Sequence, residues 1–425
     1  MSTPAGVVHT VRWQEICPWL LLVRAARVAL MVRVIVLAML GMWAVHLGWR
    51  VIDAAVTHPD PGPSFAELTA PAPLFSTEPP VLEFSEPPPR GQLYVPLAER
   101  PWVGPLARAW AWAIQPLTRL VAAEGWRQLI GFLLAGTWTI AVWALFGGAI
   151  ARIAALYLTR GETIGPIEAL RAAVTRWTST AGAPTFSFCL IVGAGVPLWI
   201  AGLLMRLDFL AAVGGALWFV ALAFGALAAG LALLHLIGVP FMWATAAVER
   251  TDAFDALSRA WAYGFSRPLH LTFYVAVASL LGLLAETLVV LLVNWLVAGA
   301  EFGVAWGAGA ARMQQLAAVA ADTETDAGAM LTIAAAGMQF WSNVLLAAGS
   351  AFAIGYFWSA GVGLYLLMRR LVDATETNEI AFDANAPEPR VPQLTDDPVT
   401  GVPQAEATPE TAAAPEQRSA EPPSE

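Results

Sequence analysis

Long apolar stretches alternate with short charged segments along this chain. About 20 consecutive apolar residues are enough for a helix to cross the hydrocarbon core of a bilayer. Six stretches reach this length and predict six transmembrane helices: Val28–Trp49, Gln128–Ala151, Phe186–Met205, Ala211–Phe241, Phe273–Leu296 and Val344–Met368.

The fourth apolar stretch is unusually long. Forty residues without an acid or an arginine separate Asp208 from Glu249, which corresponds to about 60 Å of helix. We predict one long tilted helix that ends or kinks near Pro240. A re-entrant hairpin around Gly214–Gly215 is the alternative interpretation.

The segment from Val248 to His270 carries three acids and three arginines between two apolar stretches. Its apolar residues recur at spacings of three and four, which is typical of an amphipathic helix at a membrane interface. Thr251 is the predicted N-cap and Pro268 the predicted stop. The apolar face consists of Phe254, Leu257, Trp261 and Phe265.

The connector between the second and third spans has the same pattern. Its apolar face contains Ile167, Leu170, Val174 and Trp177. Glu168-Ala169-Leu170 aligns with Asp255-Ala256-Leu257 at a constant offset, and each motif lies between two apolar stretches. We therefore predict an internal repeat of span, interfacial helix and span, used twice.

The composition agrees with a membrane protein. Hydrophobic residues make up 58% of the 425 residues, and charged residues only 13%, against about a quarter charged in soluble domains. All 23 basic residues are arginine, which suggests a bacterial source. The net charge of −9 comes from the last part of the chain, where twelve acids stand against two arginines from Asp373 onward. No basic stripe predicts nucleic-acid binding.

Arginine placement predicts the orientation. Arginines cluster in the short segments that face one side of the membrane, and short cytoplasmic loops are enriched in such residues. We therefore expect a multi-pass protein of the bacterial inner membrane with both termini in the cytoplasm. The lipid bilayer is the one partner that the composition implies directly, and the oligomeric state stays open.

The spans divide the chain into four regions. Residues 1–50 form an N-terminal interfacial segment and the first span, and residues 51–127 form an extracytoplasmic Pro-rich linker followed by an interfacial helix on the outer leaflet. Residues 128–372 form a five-helix membrane domain with the internal repeat. Residues 373–425 are an acidic tail rich in Pro, Glu and Ala, which we predict to be disordered and available to a protein partner.

Two polar residues within predicted spans are candidates for function. Glu286 lies near the middle of the fifth span, and His235 lies deep in the fourth. A charged carboxylate at that depth costs about 2.5–3.5 kcal/mol on insertion scales. A Glu286–His235 pair could relay protons or bind a polar group. Alternatively, each side chain satisfies its polar atoms locally.

The sixth span contains small residues at every fourth position, a spacing that lets helix backbones approach closely. The stripe could mediate a contact between subunits, but packing within one subunit is the favoured interpretation. It consists of Ala347, Ala351, Gly355, Ser359 and Gly363.

We identify no Walker loop, dinucleotide fingerprint, nucleophile elbow or metal-spaced His/Cys cluster in the sequence. Cys17 and Cys189 are far apart, and five histidines are scattered over the chain. We therefore predict a protein that is not an enzyme and that uses no cofactor or metal.

The stretches "LFGGAIARIAALYLTRGETIGPIEALRAA" and "PFMWATAAVERTDAFDALSRAWAYGFSRP" resemble a broad group of uncharacterised bacterial multi-pass membrane proteins. The layout over residues 128–372 is also similar to the membrane domain fused to some glycerophosphodiester phosphodiesterases. The chain has no soluble region long enough for such an enzyme domain. The resemblance therefore implies a fold type and no catalytic residue.

These observations favour a non-enzymatic membrane protein that organises or assists other envelope proteins or lipids. The alternative function is a small-solute or proton-coupled transporter that uses Glu286 and His235.

Overall fold

The computed structural model describes residues 16–56, 104–120, 125–320 and 328–381, and two short strands further along the chain. The chain divides into two compact units, Met1–Ala381 and Phe382–Glu425. The described part of the first unit is helical. In the second unit, strands β1 (Leu394–Asp396) and β2 (Pro403–Ala405) pair in antiparallel fashion.

Six long helices alternate with six short ones in the described part of the first unit. The long helices are α2 (Val32–Val56), α4 (Trp126–Arg160), α6 (Trp177–Leu204), α8 (Trp218–Glu249), α10 (Pro268–Ala308) and α12 (Ala329–Asp373). The short helices are α1 (Leu20–Ala29), α3 (Pro105–Arg119), α5 (Pro166–Thr175), α7 (Asp208–Ala216), α9 (Ala253–Ser266) and α11 (Ala310–Ala320).

Each long helix is long and apolar enough to cross a membrane. The predicted six-span, all-α architecture is therefore confirmed. The most apolar window of α12 is entirely buried inside the protein, whereas α6, α8 and α10 leave most of theirs exposed. Helix α12 is thus the central element, and the exposed helices present apolar surface of the kind that lipid covers.

The long helices pack as three antiparallel pairs, which we call arms. The first arm is α2 with α4, the short arm is α6 with α8, and the long arm is α10 with α12. Helices α4, α8 and α12 also pack against one another and join the three arms. We call the end of the bundle where these three helices finish the Arg-rich end, because Arg160, Arg250 and Arg369 lie there.

Three structural units repeat around this centre. In two of them a long helix ends at a residue in the left-handed conformation, and a short helix and a second long helix follow: α4-α5-α6 with Gly161 at the cap, and α8-α9-α10 with Arg250. These are the two copies that the sequence predicts. A third unit combines α12, capped by Ala374, with α1 and α2 from the other end of the chain. Helix α1 packs on α12 as α5 packs on α4 and α9 on α8.

The fourth apolar stretch differs from both interpretations of the sequence. Helix α7 ends at Ala216, Leu217 interrupts the helix, and α8 then runs without a break through Pro240 to Glu249. Pro240 does not end this helix, and Gly214–Gly215 lie within α7 rather than at the tip of a hairpin. This part of α8 packs against α4 and α12, and neighbouring helices allow proline within a spanning helix.

Three other boundaries differ from the predictions. The first long helix begins at Val32 rather than Val28. Asp252 caps α9 in place of Thr251, because the Asp252 carboxylate accepts a hydrogen bond from the Asp255 N–H at 2.8 Å. The compact unit also continues to Ala381. Its last residues fold back, with Ile380 buried and the Ala381 N–H bonded to the Val248 carbonyl at 3.0 Å. Most of the predicted disordered tail lies outside the described residues.

Candidate functional site

Glu286 lies 18 residues after the start of α10, or about 27 Å along the helix. Its carboxylate forms an ion pair with the guanidinium of Arg108 in α3. The side chains of Glu286 and Arg108 are 12% and 30% exposed. An unpaired charge in such surroundings is costly, and an opposite charge in direct contact offsets that cost.

Helix α3, which the sequence predicts to be an interfacial helix on the outer leaflet, is part of the helix bundle. It packs against α4, α10 and α12, with Pro105 and Ala109 buried. An arginine on the polar face of an amphipathic helix is normally solvated by water. In the structure Arg108 contacts Glu286 instead, so the ion pair stabilises the packing of α3 in the bundle.

Two glycines allow α3 to approach α10 closely. A Cβ on Gly282 would lie 2.9 Å from Pro105 Cγ and 2.3 Å from Tyr356 Cε1, and a Cβ on Gly104 would lie 3.2 Å from the Ser279 carbonyl oxygen. The Tyr356 hydroxyl donates to the Ala278 carbonyl at 2.7 Å. Small residues of α10 and the hydrogen-bonded ring of Tyr356 in α12 thus form the surface on which α3 packs.

Aromatic rings hold the rest of α3. Trp110 stacks on Phe357 of α12 at a centroid distance of 5.8 Å and meets Trp243 of α8 edge-on at 6.3 Å. Trp112 lies 5.4 Å from Trp49 of α2 and also contacts Trp143 of α4 at 6.0 Å. Aromatic pairs of this kind contribute about 0.5–1.5 kcal/mol each beyond their burial. Helix α3 therefore contacts all three arms.

His235 lies elsewhere, within the short arm. It is buried in α8, and its Nδ1 lies 3.0 Å from the hydroxyl oxygen of Ser187 in α6. Glu286 has its partner in α3, and within the described residues α8 packs mainly on α6, α9, α4 and α12 rather than on α10. The structure thus brings Glu286 to Arg108 and His235 to Ser187, and it does not bring the two candidates together.

The small residues of α12 face the first two helices. A Cβ on Gly355 would lie 2.8 Å from Val34 of α2, and one on Gly363 would lie 3.2 Å from Leu22 of α1. Ala351 and Ser359 are fully buried, and Ala347 is half-buried. The Ser359 hydroxyl bonds the Gly355 carbonyl at 2.8 Å. This stripe packs within one subunit.

A second polar cluster lies at the Arg-rich end. The Glu249 carboxylate accepts hydrogen bonds from the Tyr365 hydroxyl and the Arg259 guanidinium, and Arg369 lies 3.5 Å away. Arg369 also donates to the carbonyls of Glu376 and Glu379 at 3.1 and 2.6 Å. This network ties α8, α9 and α12 together and fixes the chain that follows α12.

Helix α9 adds one more contact to this cluster. The Tyr263 hydroxyl donates to Asp373. Burial, and then the hydrogen bond to this carboxylate, raise the pKa of Tyr263 above its ordinary value. The hydrogen bond to Asp255 similarly raises the pKa of Arg259, aided by the charge of Glu249. An open cleft of about 580 Å³ borders the cluster and is lined by Arg160, Glu249, Arg369 and the chain from Glu376 to Ala381.

Among the described residues, no group of three His, Cys, Asp or Glu side chains is placed to hold a metal ion. Cys17 and Cys189 are both free thiols. No family model, curated protein or solved structure shows significant similarity to this chain.

Proposed function

We propose that this protein is a non-enzymatic membrane protein that organises or assists other envelope proteins or lipids. The observation that carries the proposal is the contrast between the interior and the arms. The intramembrane polar groups Glu286 and His235 have partners within the chain, whereas the short and long arms expose many large apolar side chains. Such surfaces suit contact with lipids and with the apolar helices of partner proteins.

The proposal includes a cellular setting. The Arg-rich end would face the cytoplasm of a bacterium, because short cytoplasmic segments are rich in arginine. The acidic tail after Ala381 would then be available to a cytoplasmic protein. The resemblance to the membrane domain of some phosphodiesterases remains part of the same proposal and concerns the fold alone.

Native mass spectrometry of the protein in lipid nanodiscs, extracted from its own membrane, tests the organising role. We expect a stoichiometric partner protein or a specifically retained lipid. A variant that ends at Ala381 is the matched control, since loss of a partner from this variant alone would assign the contact to the tail. Recovery of the chain with neither partner nor retained lipid would contradict the proposal.

A proton-coupled transporter is the second candidate, and the buried ion pair of Glu286 is the observation that favours it. Transporters use intramembrane carboxylates whose pairing changes during the cycle. The separate partners of Glu286 and His235 weigh against a direct relay between them. A proton-flux assay in liposomes that compares the wild type with Glu286→Gln tests this function, and equal fluxes would count against it.

A further inference from the structure

Helix α10 carries an exposed apolar seam with a strict heptad period. Its residues alternate at spacings of four and three, so they lie along one line of the helix, as in the contact seam of a helix pair. The seam consists of Leu288, Leu292, Trp295, Gly299, Phe302 and Trp306.

The seam has no partner within the described residues. Trp295, Phe302 and Trp306 are 80%, 65% and 83% exposed, and nothing lies within 4 Å of a Cβ built on Gly299. The buried residues of α10 in this region, Gly282 and Val293, lie on the other side of the helix and face α3 and α12. The seam thus points away from its own arm.

Lipid cannot cover the whole seam. Helix α10 has 41 residues and is about 61 Å long, or about 58 Å along the membrane normal at a typical tilt of about 20°. The whole bilayer, with its headgroup regions, is about 40–45 Å thick. Because α10 begins beside the interfacial helix α9, its last turns, with Phe302 and Trp306, extend beyond the bilayer. Large aromatic side chains in that position need a protein surface to cover them.

We infer that the seam of α10 binds the same seam of a second copy of this chain, forming a homodimer in the membrane. Two copies with one orientation are related by an axis along the membrane normal, so their α10 helices are parallel and identical positions meet. A heptad seam provides knobs and holes that match those of its own copy. Gly299 faces Gly299 of the second copy and lets the two backbones approach closely.

The exposed area is sufficient for such a contact. An aromatic side chain buries roughly 150–250 Å², so the three rings at their observed exposures offer on the order of 450 Å². Leu288 and Leu292, at 68% and 60% exposure, add to this area, so two copies of the seam together offer roughly the 1,000 Å² of total buried surface that a specific interface should clear.

Disulfide cross-linking in native membranes tests the geometry. In a background with Cys17→Ser and Cys189→Ser, we expect oxidation of Gly299→Cys to give a dimer band. The matched control is Ala300→Cys, which is exposed on the same helix but lies about 100° away around it. It should give about tenfold less dimer or none. Equal cross-linking at both positions would show random collision and would overturn the inference.

Single-molecule photobleaching in liposomes at low protein density tests the energetics without new cysteines. The wild type should bleach mostly in two steps, and Phe302→Ala with Trp306→Ala should raise the dimer dissociation constant by about tenfold or more. The control pair is Trp199→Ala with Phe219→Ala on the short arm, where both side chains are 66% exposed. This pair should leave the dimer intact. Single-step bleaching of the wild type, or equal effects of both pairs, would refute the dimer, whereas the proposed organising role would stand or fall separately on the partner search.

Discussion

The short arm and the long arm are both antiparallel helix pairs, and each contains one of the two candidate polar residues, His235 in α8 and Glu286 in α10. The short arm buries the imidazole of His235, which finds a neutral partner, Ser187, in the other helix of the same arm. The long arm buries the carboxylate of Glu286, which pairs with Arg108 from α3, outside the arm. The hydroxyl partner of His235 thus lies within its own arm, whereas the counter-charge of Glu286 comes from α3. A buried charge needs such a counter-charge to offset its cost.

The arms also differ in length. Helix α10 has 41 residues against 28 in α6, and α12 has 45 against 32 in α8. Each helix of the long arm is therefore longer by 13 residues, or about 20 Å. Gly282 of the long arm lies close to Pro105 of α3, whereas Gly225 and Gly230 of the short arm have open space around them. The long arm thus packs against α3 and is the longer pair, whereas the short arm leaves most of its apolar surface exposed.

The largest expected effect comes from breaking the ion pair of the long arm. Glu286→Ala leaves Arg108 charged and without its partner, so we expect a loss of about 3–5 kcal/mol in the free energy of unfolding. Arg108→Ala should cost a similar amount. The measurement is reversible unfolding in mixed micelles, with the helical circular dichroism signal as readout.

The double variant Arg108→Met with Glu286→Leu sharpens this test. It removes both charges and keeps the volumes similar, so it should recover most of the loss. Single variants that unfold as readily as the double variant would mean that the charges do not stabilise each other and that the aromatic contacts alone hold α3.

The second effect concerns Gly282, where α3 packs closely against α10. Gly282→Ala places a Cβ 2.3 Å from Tyr356 and 2.9 Å from Pro105, so α3 or the tyrosine ring must shift at a cost of about 1–3 kcal/mol. Hydrogen exchange in residues 105–119 should accelerate. Gly230→Ala in the short arm is the control, and it should be neutral or stabilising by up to about 1 kcal/mol. Unchanged exchange in α3 after Gly282→Ala would argue against this close packing.

The sequence predicts the helices better than it predicts the contacts between them. Apolar runs and the 3.6-residue period predicted the spans and the two amphipathic connectors, because burial in a bilayer and at its interface depends mainly on local composition. Glu286 stood out because a carboxylate in an apolar run is costly. Arg108 did not stand out, because an arginine on the polar face of an amphipathic helix looks solvated until the fold brings a carboxylate to it.

The boundaries that the sequence missed depend on tertiary packing. Pro240 suggested the end of a helix, but contacts with α4 and α12 keep α8 continuous, and the break occurs at Leu217 instead. The tail composition suggested disorder from Asp373, but Arg369 binds the carbonyls of Glu376 and Glu379. The first set of contacts joins residues far apart in sequence, and the second depends on a fold-back of the chain after α12 that composition does not predict.

A third, smaller effect tests the polar pair of the short arm. Ser187→Ala removes the partner of a buried histidine nitrogen, and we expect a loss of about 1 kcal/mol. The control is Ser350→Ala on the long arm, because the Ser350 hydroxyl is exposed and lies 3.4 Å from a carbonyl of its own helix. If Ser187→Ala lowered the free energy of unfolding as much as Glu286→Ala, the hydroxyl partner of His235 would be as important as the charged partner of Glu286, and the contrast between the two arms would be wrong.

The last effect, of similar size, concerns the Arg-rich end, where α9 connects the short and long arms. Tyr263→Phe removes the hydrogen bond to Asp373 at the end of α12, at an expected cost of about 1 kcal/mol at neutral pH. Because the pKa of Tyr263 is raised in the folded protein, its contribution is complete below the pKa of an unfolded tyrosine, about 10. Above that pH the unfolded tyrosine loses its proton before the folded one does. The contribution of Tyr263 to the free energy of unfolding therefore declines and is lost as the pH rises through the folded pKa. The stability gap between wild type and Tyr263→Phe should therefore be constant from pH 7 to about 9 and narrow above about 10. A gap that widens with pH would mean that the phenolate is the stabilised form.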